Sequence, residues 1–566
     1  MKRLVAVAAL CAVGWSGVAC SKDDKSTPVI SKSQNAENVA RTKALPGTDI
    51  IAAPRSRLKD GGTVHIAIED FPKNFNQFTN DGNDVATALV SDPTAPLFFD
   101  FSEKGEPVLD HDYLISAAVT RQQPFTVEYK LNPKAVWSDG TPMGYADFLG
   151  MWKAMSGADH AYDMATTNGF EKITSVRKGT DEHDVLVTFS QRYAAWPSLF
   201  NGLLPHSLTA TPQAFNSSWR DKPLVSGGPF VISKVDSTAQ AITLTRNPRW
   251  WGQPPKLEQI VMRALSLDAI SGAFKNGEVD IVDASKDPSV LKAAEGVHGT
   301  RILRSSSPGW HLLNLNARSS VLRDPKMRRA ISYGIPRDQI ATLRQQPFGA
   351  PATVLGNHIL GVTQTGYRDN ATAAIGPDPK KAAAMLDQLG WKLDGKYRKK
   401  NGATLTLKQY IPSDTPSQTD VSQVVQRALA TIGVKVDIIS LPISQFADHV
   451  NDGNYDIVYM GWTGSPFPEC DMKSIFYPAI SNANKTGASS PKVGSLFDQA
   501  CATLDENERT ALANQLDAEL FRIDTMLPLF NDPSIAASKP DLANIKNFSS
   551  AFEHTHWQDV GWVKPE

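Results

Sequence analysis

The sequence predicts an α/β chain of several domains, and three observations carry that reading. Helix and strand signals alternate from about residue 60 to the end. The helices are individually punctuated, with Asp-Pro starts and glycine stops. A chain of 566 residues with 41% hydrophobic content has enough apolar material for more than one core, at roughly 150 residues per domain.

Residues 1–20 read as a leader. Lys2 and Arg3 make a basic start, and Leu4 to Trp15 form an apolar run short for a membrane span but suited to a cleavable signal. Small residues Gly17 and Ala19 precede Cys20, so the segment resembles a bacterial lipobox, with Gly17 standing where the pattern prefers a large aliphatic residue. The resemblance implies a diacylglycerol-modified Cys20 anchored on the extracytoplasmic face of the cell membrane; ordinary secretion is the alternative. Residues 21–57 are polar, without an apolar period, and read as a flexible tether. Order is expected to begin near Asp60, where Gly61-Gly62 leads into a strand over Thr63 to Ile68.

Further along, Phe125 to Leu131 alternates as a strand does, and Asp139-Gly140 supplies a tight turn. Asp324-Pro325 caps a helix carrying Met327, Ala330 and Ile331, and Asp378-Pro379 caps another whose stripe of Ala382, Leu386 and Leu389 ends at Gly390. Val421, Val425, Leu429 and Ile432 share a helical face before Gly433 and the strand-like Val434 to Ile438. Leu512, Leu516 and Leu520 recur at helical spacing, and Leu527 to Phe530 reads as extended.

Composition excludes some functions. Lys and Arg total 58 against 59 Asp and Glu, so no general field draws the chain to nucleic acid. No CxxC or HExxH occurs, and His554 with His556 lacks further ligands nearby, so no metal site is read and the pair is taken as surface or packing residues. Neither GxxxxGK[ST] nor GxSxG is present, which argues against nucleotide hydrolysis and against a serine hydrolase. With Cys11 in the leader and Cys20 lipidated, Cys470 and Cys501 remain. An exported pair invites a disulfide, worth about 3 to 4 kcal/mol for a loop of roughly 30 residues, with two buried thiols as the alternative.

Trp137-Ser138-Asp139-Gly140-Thr141-Pro142, Ser226-Gly227-Gly228-Pro229-Phe230 and Arg246-Asn247-Pro248-Arg249-Trp250-Trp251 occur in order. Gly277-Glu278-Val279-Asp280-Ile281, the Asp324 and Asp378 helices and Gly453-Asn454-Tyr455-Asp456 follow. This colinear set, over roughly residues 60 to 560, resembles the family 5 extracellular solute-binding proteins of ABC importers, the oligopeptide- and dipeptide-binding type. Leu58 to Thr63, Pro72 to Asn76 and the doubled tryptophan resemble an actinobacterial lipoprotein branch that includes LpqW, which is associated with mannosylated phosphatidylinositol assembly.

The resemblance implies a two-lobe periplasmic-binding-protein-like clamshell (type II, cluster C) with mixed β-sheets and an extra inserted domain. Lobe 1 is expected from residues 58–85, 206–306 and 526–566, the inserted domain from 86–205, and lobe 2 from 307–525. It also implies a monomeric, cofactor-free binding protein that closes on a peptide-like solute and passes it to a permease; a glycolipid ligand in an LpqW-like role is the alternative.

In peptide-binding members a Gly-Trp-x-x-Asp loop offers a carboxylate to the peptide's amino group. Here the loop reads Gly461-Trp462-Thr463-Gly464-Ser465, so Ser465 replaces the acid. A hydroxyl does not replace an ion pair to a buried ammonium. Glu469 or Asp471 is expected to substitute, or else the ligand is neutral, sugar-bearing or N-blocked. Trp462 and Thr463 complete the expected site, the indole either stacking on the ligand or packing a strand end. Asn74, Phe75 and Asn76, after the first strand, are further candidates; Trp310 and His311 line the cleft or pack a hinge.

Overall fold

The computed structural model describes residues 44–167, 169–221, 225–413, 415–479, 483–547, 552 and 554–565. Cys20 and residues 21–43 therefore lie outside the described residues.

A ten-stranded mixed sheet spans the molecule. At one end, Thr63–Ile68 runs parallel to Gln259–Ala264, which continues antiparallel through Ala241–Arg246 to Phe230–Asp236. At the other, Ile457–Trp462 and Lys435–Leu441 flank Thr406–Pro412, both parallel to it. Two long antiparallel strands, Arg301–Leu315 and Met526–Ser538, join the halves. Their register breaks between Ser306 and Trp310. Before the break they sit beside Ile281–Asp283; after it, Trp310 to Leu315 pair with Ile457–Trp462. Pro308 cannot donate to a ladder, and the bulge falls where Ser307-Pro308-Gly309 interrupts the apolar alternation.

A separate four-stranded antiparallel sheet orders Leu114–Gln122, Phe125–Leu131, Asp184–Phe189 and Ile173–Lys178. Its aromatic core stacks Phe98, Tyr129 and Phe200 on Phe148 of the helix Tyr145–Met155. Buried Asp147 starts that helix. Its carboxylate accepts from Gly144 N at 2.9 Å, His206 N at 2.7 Å and Trp137 Nε1 at 3.2 Å, so the tryptophan of the Trp-Ser-Asp-Gly turn is a structural anchor.

The Asp-Pro helices form as their caps dictate: Pro325–Tyr333 with Asp324 accepting from Lys326 N, and Pro379–Gln388 with Asp378 accepting from Lys381 N. Leu527 to Phe530 belongs to the long strand Met526–Ser538, and the Leu512 stripe to the helix Glu506–Ile523.

One expectation is corrected. The tether was expected to run to residue 57, yet residues 46–57 pack on the molecule. Pro46 O accepts from Ser306 N at 2.7 Å, Asp49 Oδ2 from Arg304 N at 2.7 Å, and Arg55 pairs with Asp559 at 2.8 Å. Ala53 N and O both bond the Asn544 side chain. This strap is held largely by polar bonds, with Ile51 packed against the core and no apolar stripe, so composition hides it.

Candidate functional site

The bulge in the paired long strands opens onto a pocket. Ser306, Ser307, Pro308 and Trp310 come from one long strand and Asn531 from the other; the stretch Leu355 to Gln364, Gly464 and Phe552 complete it. A ligand there touches the junction of the two sheet halves.

Each wall is fixed locally. Asn531 Nδ2 donates to Gly309 O at 3.2 Å, and Asn357 Oδ1 accepts from Ile359 N and Leu360 N, both at 2.9 Å. Gln364 accepts from Gly361 N at 2.8 Å and donates to Ser465 O at 3.0 Å, tying the stretch to the Trp462 loop. Gly464 N bonds Pro308 O at 2.9 Å, and a Cβ at Gly464 would meet that oxygen at 2.6 Å, so the loop approaches the bulge only as glycine. His358 is fully committed inside the protein, its ring nitrogens 2.7 Å from Asp517 Oδ1 and 2.9 Å from Met526 O.

Trp462 ends its strand opposite Trp310 in register, half-buried, with its Nε1 buried and unpartnered among the described residues. Trp310 lines the pocket; His311 does not, and is stacked between Tyr459 and Phe530 with Nε2 3.0 Å from Asp532. Thr463 is exposed. Ser465 donates its hydroxyl to Asp471 and accepts from Phe467 N at 3.0 Å. Burial pushes Asp471 up to about 6, against the Ser465 bond. Burial likewise pushes Glu469 up to about 7, opposed by Arg509, whose Nε lies 2.5 Å from its carboxylate. Neither acid lines the pocket. Cys470 and Cys501 are joined by a disulfide, Cα to Cα 4.9 Å, which ties this loop to the helix Pro491–Ala502.

Asn74, Phe75 and Asn76 are fully buried and line no part of this pocket. Asn74 Nδ2 bonds Asp81 and Asn216 O, and Asn76 Nδ2 bonds Phe215 O at 2.9 Å. These bonds clamp the loop after the first strand onto the Pro212–Ser217 helix.

The aromatic sheet domain also reaches the loop. Phe101 meets Phe467 edge-on at 6.0 Å, Ala194 N bonds Cys501 O at 2.7 Å, and Thr365 donates to Glu106 at 3.1 Å. These contacts bring the domain against the second half of the sheet.

A second pocket holds the histidine pair. His554 Nδ1 lies 2.9 Å from Asp92 and His556 Nε2 lies 3.2 Å from Asp100, so they are ion-pairing residues and not plain packing. Burial lowers the His554 pKa, but Asp92 outweighs it and the net shift is upward; the Asp100 hydrogen bond raises that of His556. Burial pushes Asp110, on the same wall, up to about 6.

Residues 114–484 match the sequence model described as bacterial extracellular solute-binding proteins, family 5 middle. The chain belongs to that family. The oligopeptide-binding protein OppA of Mycobacterium tuberculosis is 38% identical over 513 residues, covering 89% of this chain and 86% of the relative. The probable monoacyl phosphatidylinositol tetramannoside-binding protein LpqW of the same organism is 24% identical, covering 81% and 83%. Among solved structures, the periplasmic EDTA-binding protein EppA superposes with a TM-score of 0.84 at 24% identity, over 93% of this chain and all of that one. The fold is therefore that of the family 5 binding proteins, with the long strands at the middle of the ten-stranded sheet.

This pocket is only partly legible in the sequence: Trp310 and Gly464 lie in segments singled out there, whereas Leu355 to Gln364, Asn531 and Phe552 do not. The missed stretch has no helical or strand period, and its sole signal is length without structure inside a compact lobe.

Proposed function

We propose that the chain is an extracytoplasmic solute-binding lipoprotein of an ABC importer, anchored through Cys20, that captures a peptide-like solute by lobe closure. It performs no chemistry itself; separate cytoplasmic subunits hydrolyse ATP, and the closed lobes are what the permease recognises. The domain division proposed is lobe 1 from 58–85, 206–306 and 526–566, the inserted domain 86–205, and lobe 2 from 307–525. One observation carries the reading: the pocket lies at the register break of the only two strands that join the halves of the described sheet. A ligand bound there contacts groups whose relative position changes on closing, which is the differential affinity that closure requires. The 38% identity to OppA supports a peptide as that ligand.

The LpqW likeness supports a second reading, a glycolipid-binding or regulatory protein of the envelope. Native mass spectrometry of the purified protein, with the co-purified molecule released and identified, separates them. A peptide supports the importer; a mannosylated lipid replaces it with the envelope role. Loss of oligopeptide uptake on gene deletion, restored by the wild-type gene, is the matching result in cells.

A further inference from the structure

Three carboxylates line the second pocket, and two of them are answered within the protein. Asp92 holds His554 and the Trp557 indole N–H, while Asp100 holds His556 and accepts from the backbone N–H groups of Phe101 and His554. Asp110 differs. Its Oδ1 accepts from Asp112 N at 2.8 Å, and it makes no ion pair among the described residues. Residues 548–553, which lead into the histidine wall, hold no lysine or arginine. Burial and the nearby Asp112 and Asp100 carboxylates push Asp110 up to about 6 with only His556 opposing as a cation, as expected of a carboxylate short of positive charge.

Tyr113 supplies an independent sign of a ligand. It lines the same pocket, is only 3% exposed, and its hydroxyl has no hydrogen-bond partner among the described residues. The turn fixes it beside Asp110, with Tyr113 N bonding Asp110 O at 3.2 Å. A buried hydroxyl left unpaired costs free energy that a bound donor recovers. Trp250 continues the wall with its ring 5.6 Å from that of Tyr113, and such rings attract a cation held against them. We infer that the second pocket binds a primary ammonium, which donates to the Asp110 carboxylate and the Tyr113 hydroxyl beside Trp250. A metal ion suits the donors less well, because Asp92 and Asp100 already spend their oxygens on the histidines, an indole and the backbone.

The test titrates n-butylamine into the purified protein at neutral pH, read by ligand-observed NMR, with n-butanol as the uncharged control. Butylamine should bind saturably and butanol should not. Asp110→Asn keeps the acceptor for Asp112 N but removes the charge, and should weaken butylamine binding about tenfold. Tyr113→Phe keeps the ring and should weaken it roughly threefold. Equal binding of butanol, absence of butylamine binding, or affinity unchanged in both variants overturns the inference. Saturable binding of manganese(II) that depends on Asp110, with none of butylamine, makes this a metal site and overturns it too.

Discussion

Trp462, paired with the lining residue Trp310 but not itself lining the pocket, holds a buried indole N–H that no described group accepts, an arrangement that costs free energy until something else supplies the acceptor. If the bound solute does so, Trp462→Phe removes one hydrogen bond of about 0.5–1.5 kcal/mol from the complex. Calorimetry with a captured peptide should then show affinity reduced by roughly three- to tenfold. Unchanged affinity removes Trp462 from the site. Gly464 constrains the same loop sterically. A Cβ there meets Pro308 O at 2.6 Å, a backbone atom that moves only with the bulge. Gly464→Ala should therefore destabilise by about 1–3 kcal/mol, read as a lower midpoint in denaturant, and should weaken binding because the pocket wall shifts with it.

At the scale of elements, the disulfide and the strap each hold a piece of the site. Cys470 and Cys501, 31 positions apart, pin the short Pro468–Asp471 helix to Pro491–Ala502. Cys470→Ser with Cys501→Ser should cost roughly 2–5 kcal/mol, and the wild type in reductant should lose a similar amount. An unchanged thermal midpoint in reductant would show that the bond contributes little. The strap of residues 46–57 bonds Arg304 and Ser306 beside the bulge, so a chain begun at Asp60 should melt below one begun at Ala44. These elements differ in how far sequence reveals them. The Asp324 and Asp378 helices were legible because cap, proline and stop are local, as was the strand Thr63–Ile68. The strand Arg301–Leu315 was not, because Ser305-Ser306-Ser307-Pro308-Gly309 reads as a loop; Met526–Ser538, more than 200 positions away, holds it extended. The pocket stretch Leu355 to Gln364 was hidden for the same reason, its shape being set by Asn357, Gln364 and Asn531 bonds without periodicity.

Across the whole molecule, buried titratable groups join parts of the chain far apart in sequence, and most of those near neutrality shift in one direction. His554 and His556, paired with Asp92 and Asp100, are raised; Asp110 and Asp471 are pushed up to about 6 and Glu469 to about 7. A raised group binds its proton in the folded state at pH values where the unfolded chain has released it. Each histidine pair therefore stabilises fully below the unfolded histidine value of about 6.5, and that gain is lost as pH rises through the higher folded value. For the acids, the folded state holds the extra proton between about pH 4 and their raised values, so stability again falls as pH rises through that window. Carboxylates shifted the other way, Asp100, Glu171 and Asp387 among them, withdraw their contribution only as pH falls through their depressed values, below about 4. The thermal midpoint should thus peak near pH 5 and decline steadily toward pH 8. Scanning calorimetry between pH 4.5 and 8.5 checks this, and the double variant His554→Gln with His556→Gln should flatten the upper part of the decline. A midpoint that rises from pH 5 to 8 would contradict the assignment of these groups as protonated within the folded protein.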